Sequence, residues 1–146
     1  RQNGRVPHSH VLTFCRKSSD NVTSDFLKLA PDEEVFFLER LLLADEIPVI
    51  DVHTWLPVRL FPNFDPDAVE NGSFFEYLKS AYRYSIAASS RSTVSVTVAS
   101  ADMAQTLNLS PGDPLMILDS YMQTPKGKPL YISREYIAGS RYTISF

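Results

Sequence analysis

Apolar and polar positions along this chain fall into a unit that occurs twice. Leu27-Lys-Leu-Ala-Pro31-Asp-Glu-Glu-Val35-Phe-Phe-Leu38 aligns without a gap on Leu107-Asn-Leu-Ser-Pro111-Gly-Asp-Pro-Leu115-Met-Ile-Leu118. Each copy runs on through a polar turn into a second apolar stretch, Pro48 to Leu56 in the first and Leu130 to Ile137 in the second. One inserted residue keeps the halves in step. Each unit therefore reads as a short helix, a proline turn and a β-hairpin, and two such hairpins can share one antiparallel sheet.

The rest of the pattern fills in around the repeat. His10 to Lys17 alternates and predicts a strand. Asn21 to Leu29 predicts a short helix, with Thr23 or Ser24 as its cap. Val35 to Leu43 and Pro48 to Leu56 predict the first hairpin. Pro57, Pro62 and Pro66 make the next stretch irregular up to Val69. Ser73 and Glu76 match a capping box, followed by Phe74, Tyr77, Leu78 and Ala81 on one helical face. Ile86 to Ala99 is rich in Ser, Thr and Val with period two and predicts a long, half-exposed strand. Ser100 then caps a helix with Met103, Ala104 and Leu107 as its apolar stripe. Leu115 to Met122 and Leu130 to Ile137 predict the second hairpin, and Tyr142 to Phe146 a last strand. The class is α+β: a central antiparallel sheet of about six strands with short helices packed on it.

Composition narrows the function. The 146 residues carry a formal charge of −3, and 44% of them are hydrophobic, enough for one well-filled domain. No Lys/Arg cluster is present, so this segment is not read as a nucleic-acid binder. No apolar run reaches the length of a membrane span, no signal peptide is seen, and a cytoplasmic location is expected. The single cysteine, Cys15, excludes an internal disulfide and is read as a small core residue. Asn21, Asn71 and Asn108 each begin an Asn-x-Ser/Thr triplet and are read as turn and cap chemistry. His8-x-His10 lacks an evident third ligand and is read as loop histidines, so no metal and no cofactor is expected.

An ordered set of short motifs carries a family resemblance. It comprises Val6-Pro-His-Ser9, Leu38-Glu-Arg40, Ile47-Pro48, Trp55-Leu-Pro57, Phe61-Pro62, Gly72-Ser73, Leu107-x-Leu-x-Pro-Gly-x-Pro114, Gly127-Lys-Pro129 and Gly139-x-Arg141-Tyr142. Their order and spacing resemble the UTRA domain, the effector-binding half of GntR-type transcription regulators of the HutC subfamily. The resemblance implies a chorismate-lyase-like fold, a homodimer, and a small-molecule pocket between sheet and helices. It divides the chain into a linker remnant, residues 1–6, and an effector-binding and dimerisation domain, residues 7–146. No segment reads as a winged helix-turn-helix, so DNA contact is expected only through a separate N-terminal domain.

The resemblance also suggests a pocket. In the family's sugar-phosphate sensors, a first-loop serine, a strand arginine and a serine opening the middle helix hold the phosphate; Ser9, Arg40 and Ser73 match these places. The physics agrees, since a helix N-terminus offers free N–H groups and an arginine adds charge-assisted contacts. Thr54, Phe75, Tyr131, Ser133 and Glu135 complete the candidate set, with Glu135 on one strand face with Tyr131 and Ser133. Ser73 as a cap alone, and Arg40 paired to a core carboxylate, are the plainer alternatives. Leu42, Val52, Tyr131 and Ile137 depart from the polar residues usual at the matching positions. The expected ligand is therefore anionic near Arg40 and apolar or cationic near Glu135. His53 lies on the opposite strand face from Val52 and Thr54 and is left out. Trp55, Tyr136, Phe36 and Phe37 are read as core or dimer surface. With no Ser-His-Asp order and no paired inward carboxylates, an enzyme of lyase-like type is the lesser reading. A dimerisation module with a vestigial pocket is the third. The valine-bearing strand 86–99 is the expected dimer edge.

Overall fold

The computed structural model describes residues 7–87, 91–139 and 141. In chain order it holds β1 (Pro7–Ser18), α1 (Asn21–Leu27), β2 (Glu34–Ala44), β3 (Ile47–Pro57), a 3-10 turn (Pro66–Val69), α2 (Phe74–Tyr82), β4 (Arg91–Val98), α3 (Ala101–Leu107), β5 (Pro114–Gln123) and β6 (Pro129–Ile137). One six-stranded sheet runs in the order β1-β2-β3-β6-β5-β4. Every neighbouring pair is antiparallel.

That order makes the sequence repeat structural. Two β-α-β-β units, β1-α1-β2-β3 and β4-α3-β5-β6, meet at the β3/β6 seam and are related by an approximate two-fold axis through the sheet. The axis passes beside the cross-strand pair His53 and Arg134. The repeat is therefore longer than the aligned segment, since each unit begins with its own strand. Asp20 caps α1 by accepting from Thr23 N at 2.7 Å, and Ser100 caps α3 by accepting from Met103 N at 3.1 Å. Both helices end on a left-handed residue, Lys28 (φ 57°) and Asn108 (φ 54°).

Strand alternation gives the sheet two faces. The first carries Leu38, Arg40, Val52, Thr54, Tyr131, Ser133 and Glu135, and residues 57–87 pack over part of it. Phe61, Phe64, Phe74 and Leu78 from that cover join Phe36, Leu38, Leu56 and Tyr131 of the strands in the largest buried cluster. Hydrogen bonds from Tyr82 to the Pro62 carbonyl and from Tyr84 to the Leu60 carbonyl, each 2.9 Å, pin the cover to itself. The second face carries Phe37, Glu39, Leu41, Asp51, His53, Trp55, Arg134 and Tyr136. There α3 buries Ala104 and Leu107 against Leu41 and Tyr136. Phe26 of α1 meets Tyr121 edge-on, at 5.2 Å.

Several expectations change. The α1 cap is Asp20, not Thr23 or Ser24, because Asp20 keeps extended backbone while its carboxylate reaches back into the first turn. That helix ends at Leu27 rather than Leu29. Strand β4 runs over Arg91–Val98, shorter than the predicted 86–99. Ala87 N instead donates to the Gln123 carbonyl, 2.8 Å away, in the connection from α2. Cys15 is exposed, not a core residue; β1 is an outer strand of the sheet. The two loop histidines lie in β1 instead: His10 Nδ1 is 2.7 Å from Glu70 Oε2, and His8 Nε2 is 3.7 Å from Glu46. The expected linker 1–6 and strand 142–146 lie outside the described residues. Among the described residues no helix is long and apolar enough to cross a membrane.

Candidate functional site

Five of the eight predicted residues share the first sheet face. Arg40 of β2 stands opposite Val52 of β3, and Val52 opposite Glu135 of β6. One row further along, Thr54 faces Ser133, and their hydroxyl oxygens are 3.3 Å apart. Tyr131 is buried on the same face of β6. The four residues Val52, Glu135, Thr54 and Ser133 surround the pseudo-two-fold axis. A polar cluster thus sits at the seam of the two units, inside an otherwise apolar face.

Arg40 is the distinctive member. Its guanidinium lies 4.7 Å from the centre of the Phe74 ring, a cation–π contact. Its Nε is buried and has no hydrogen-bond partner. A buried N–H left without an acceptor costs about 1–3 kcal/mol. Burial pulls the Arg40 pKa down, while the nearby Tyr131 and Glu135 push it up. Burial also raises Glu135 above the ordinary carboxylate range, and the Arg40 charge opposes that rise. Tyr131 is held protonated by burial. Arg40 and Glu135 feel each other electrostatically, yet no ion pair joins them among the described residues. The plainer alternative, an arginine neutralised by a core carboxylate, is therefore not what the geometry shows.

The remaining three residues lie at the rim or serve the scaffold. Ser73 Oγ accepts from Glu76 N at 3.2 Å, so the residue is the α2 N-cap. It directly precedes Phe74, whose ring supports Arg40. The turn before it needs glycine, because a Cβ at Gly72 would come 2.8 Å from the Ala68 carbonyl oxygen. Ser9 is buried and ties β1 to this turn: its hydroxyl donates to the Val69 carbonyl and its N–H to Asn71 Oδ1, each 3.2 Å. Phe75 is exposed and touches Phe74 edge-on, at 6.0 Å. A groove lined by Glu76, Lys79, Ser80, Arg83 and Ser85 runs on the opposite side of α2. It shares no residue with the Arg40 cluster and is lined by side chains of one short segment, so it is not the better site.

Sequence reasoning missed two things. Phe74 was assigned to the core stripe, and its support of Arg40 needed the packing of α2. The expectation of no paired inward carboxylates is met, among the described residues, on the first face only: on the second, buried Asp51 and half-buried Glu39 come together. Glu39 and Asp51 stand beside His53, which lies 3.4 Å from Glu39 Oε2 and 3.2 Å from Asp51 Oδ2. Strand alternation puts Asp51 and His53 on one face, and the hairpin register adds Glu39.

With this geometry in hand, comparison with known proteins decides the family. The family model of the UTRA domain matches residues 2–143. The chain belongs to the UTRA domain family. The probable fructoselysine utilization operon transcriptional repressor of Escherichia coli is 24% identical over 132 residues, covering 90% of this chain and 50% of the relative. The HTH-type transcriptional regulator YurK of Bacillus subtilis is 25% identical over 142 residues, covering 97% of this chain and 58% of the relative. The UTRA chain thus spans about half the length of the curated relatives it matches. A structure described as the ligand-binding domain of a GntR-family transcriptional regulator from Bordetella bronchiseptica superposes with a TM-score of 0.90 at 21% identity, over 100% of this chain and 92% of that one. This UTRA domain therefore has the α+β fold of the regulatory domains of GntR-family transcription regulators.

Proposed function

We propose that this UTRA domain senses a small anionic metabolite at Arg40 and passes its presence to an attached winged-helix DNA-binding domain of the HutC type. The carrying observation is the Arg40 guanidinium: half-buried on a ring, with a donor that nothing among the described residues satisfies. A phosphate, phosphonate or carboxylate supplies the missing acceptor and the missing charge. Glu135, half-buried and in no ion pair among the described residues, receives a cationic or hydrogen-donating part of the same ligand. Thr54, Ser133 and the Tyr131 hydroxyl read polar groups between them. Ser73 and the open turn of α2 lie at the anionic end, Phe75 at its rim, and Ser9 holds the turn in place. A zwitterionic ligand suits this charge pair better than a plain sugar phosphate.

The domain acts by binding and not by turnover: the first-face cluster offers no nucleophile activated by a base. It works as a homodimer in the cytoplasm. The outer strand β4 is exposed over its whole length and presents Val94, Val96 and Val98 on one side. An unpaired edge with an apolar stripe is a pairing surface. Size exclusion at several concentrations tests this, and a monomer throughout would overturn it.

The ligand reading is tested by a thermal-shift screen with phosphorylated sugars, phosphonates, amino acids and carboxylates. A binder at 100-fold over its dissociation constant stabilises by about 2.7 kcal/mol. The expected result is a hit that Arg40→Ala abolishes and Glu135→Gln weakens for amine-bearing ligands only. A hit of undiminished affinity in Arg40→Ala would sink the proposal.

A further inference from the structure

Behind the Arg40 cluster, on the second face of the same strands, three metal-ligating side chains converge. Ligand atoms of Glu39, Asp51 and His53 all lie within 4.8 Å of one another. His53 Nε2 is 3.4 Å from Glu39 Oε2 and 3.2 Å from Asp51 Oδ2. Donors held about 2.0–2.2 Å from one tetrahedral ion stand roughly 3.3–3.6 Å apart, so these separations are close to those of ligands that share a cation.

Three further observations favour a cation over an internal hydrogen-bond network. Asp51 is fully buried, and its Oδ1 has no hydrogen-bond partner. Among the described residues no lysine or arginine pairs with any of the three. The nearest basic side chain by register, Arg134, is taken by Asp119 through bonds of 2.6 and 2.9 Å. The two-fold relation makes the contrast sharp. Glu39 and His53 face each other where the second unit has Asp119 and Arg134. Asp51 occupies the place of Ile132. The second unit satisfies its carboxylate with a guanidinium; the first adds a second carboxylate and exchanges the guanidinium for an imidazole.

The surroundings fit a ligand set. Thr13 Oγ1 donates to Glu39 Oε1 at 3.0 Å, leaving Oε2 turned to His53 and orienting the carboxylate. Phe37, Trp55 and Tyr136 wall the imidazole, with ring centres between 5.1 and 6.2 Å. His53 and Glu39 keep about a fifth of their side-chain surface exposed, 20% and 18%, so an ion has a way in.

We propose that Glu39, Asp51 and His53 bind one divalent transition-metal ion of the zinc type, with three protein ligands and an open fourth position. Carboxylate and imidazole donors match that class, and two carboxylates with a neutral imidazole balance the two positive charges of the ion.

Isothermal titration of the metal-stripped chain with zinc chloride tests this. The expected result is one zinc per chain, weakened about tenfold or more by His53→Gln and by Glu39→Gln. The other imidazoles sit near exposed carboxylates, so a His8→Ala/His10→Ala variant is the control and keeps the binding. No heat with the parent chain overturns the proposal. So does zinc binding that survives His53→Gln, or binding lost in the His8/His10 variant. Circular dichroism confirms that each variant is folded. Should Glu39→Gln unfold, His53→Gln, at a side chain one-fifth exposed, still decides. The metal site and the Arg40 site share no ligand, so failure of one leaves the other standing.

Discussion

The two β-α-β-β units have nearly the same backbone and quite different side chains at their hairpins. Leu27 and Leu107 are both buried at the helix ends. The turn that follows closes alike, with Glu33 N to the Ala30 carbonyl at 3.1 Å in one and Asp113 N to the Ser110 carbonyl at 3.0 Å in the other. The acidic side chains repeat too, since Glu33 accepts from Ala30 N and Asp113 from Ser110 N, each at 3.0 Å. Then the units part. Arg40 answers to Ser120, Thr54 to Glu135, and the Glu39–Asp51–His53 group to Asp119, Ile132 and Arg134. The long cover, residues 57–87, follows the first unit and joins it to the second. Caps, turns and buried leucines build the scaffold twice, and the candidate chemistry lies where the symmetry is broken.

The strongest check on this comparison is in the shared scaffold. Leu27→Ala and Leu107→Ala should each destabilise the chain by about 2–5 kcal/mol in urea melts, because both leave a cavity under a helix end. Equal costs would support equivalent units; a gap of more than about 2 kcal/mol would break the equivalence.

Next comes conversion of one unit into the other. Asp51→Ile with His53→Arg gives Glu39 the guanidinium partner that Asp119 has. Stability should rise by about 1 kcal/mol or more, since a buried carboxylate with one unpartnered oxygen is replaced by an apolar group beside a paired ion. Zinc binding should vanish in the same variant. A fall in melting temperature would show that the two hairpins are not interchangeable.

Protonation separates Glu135 from its neutral counterpart Thr54. Burial raises the Glu135 pKa in the folded chain. Between the ordinary glutamate value, about 4.3, and the raised one, the native state holds a proton that the unfolded state has released. Stability therefore falls as pH rises through that window, and the penalty is fully present above it. Burial, with Asp51 nearby, raises Glu39 as well, so it acts in the same direction. In chelator, melting temperature against pH should fall less steeply in Glu135→Gln than in the parent, with the Glu39 share remaining. An unchanged slope would contradict the burial argument.

The smallest effect belongs to the turn. Asp32 holds φ 65° where the second unit has Gly112 at φ 90°. Asp32→Gly should gain, and Gly112→Asp should cost, up to about 1 kcal/mol each by thermal melts. Gains of equal sign in both would mean that the two turns are under different strain.

Much of this is legible in the sequence. Period-two alternation placed Arg40, Thr54, Ser133, Glu135 and Tyr131 toward one side of their strands, and the structure gathers them there. Ser73 and Ser100 announced their helices through capping chemistry. Asn71 and Asn108 are turn and cap residues, as read. Less was readable wherever a residue's partner is distant in sequence. Cys15 looked like a core residue because its strand is apolar, but an outer strand has a poorly covered face. Asp20 took a cap from two hydroxyl candidates because only its backbone is extended at the right place.

The sequence by itself determined the elements, their duplication and the inward placement of one arginine, because these depend on periodicity and on contacts a few residues apart. The tertiary structure alone decided that Arg40 rests on Phe74 with a donor unsatisfied, and that Glu39 meets Asp51 and His53. Both depend on strand register and on how a distant helix lies across the sheet. Register is set by the sum of many cross-strand contacts and one turn geometry, so no local pattern announces it.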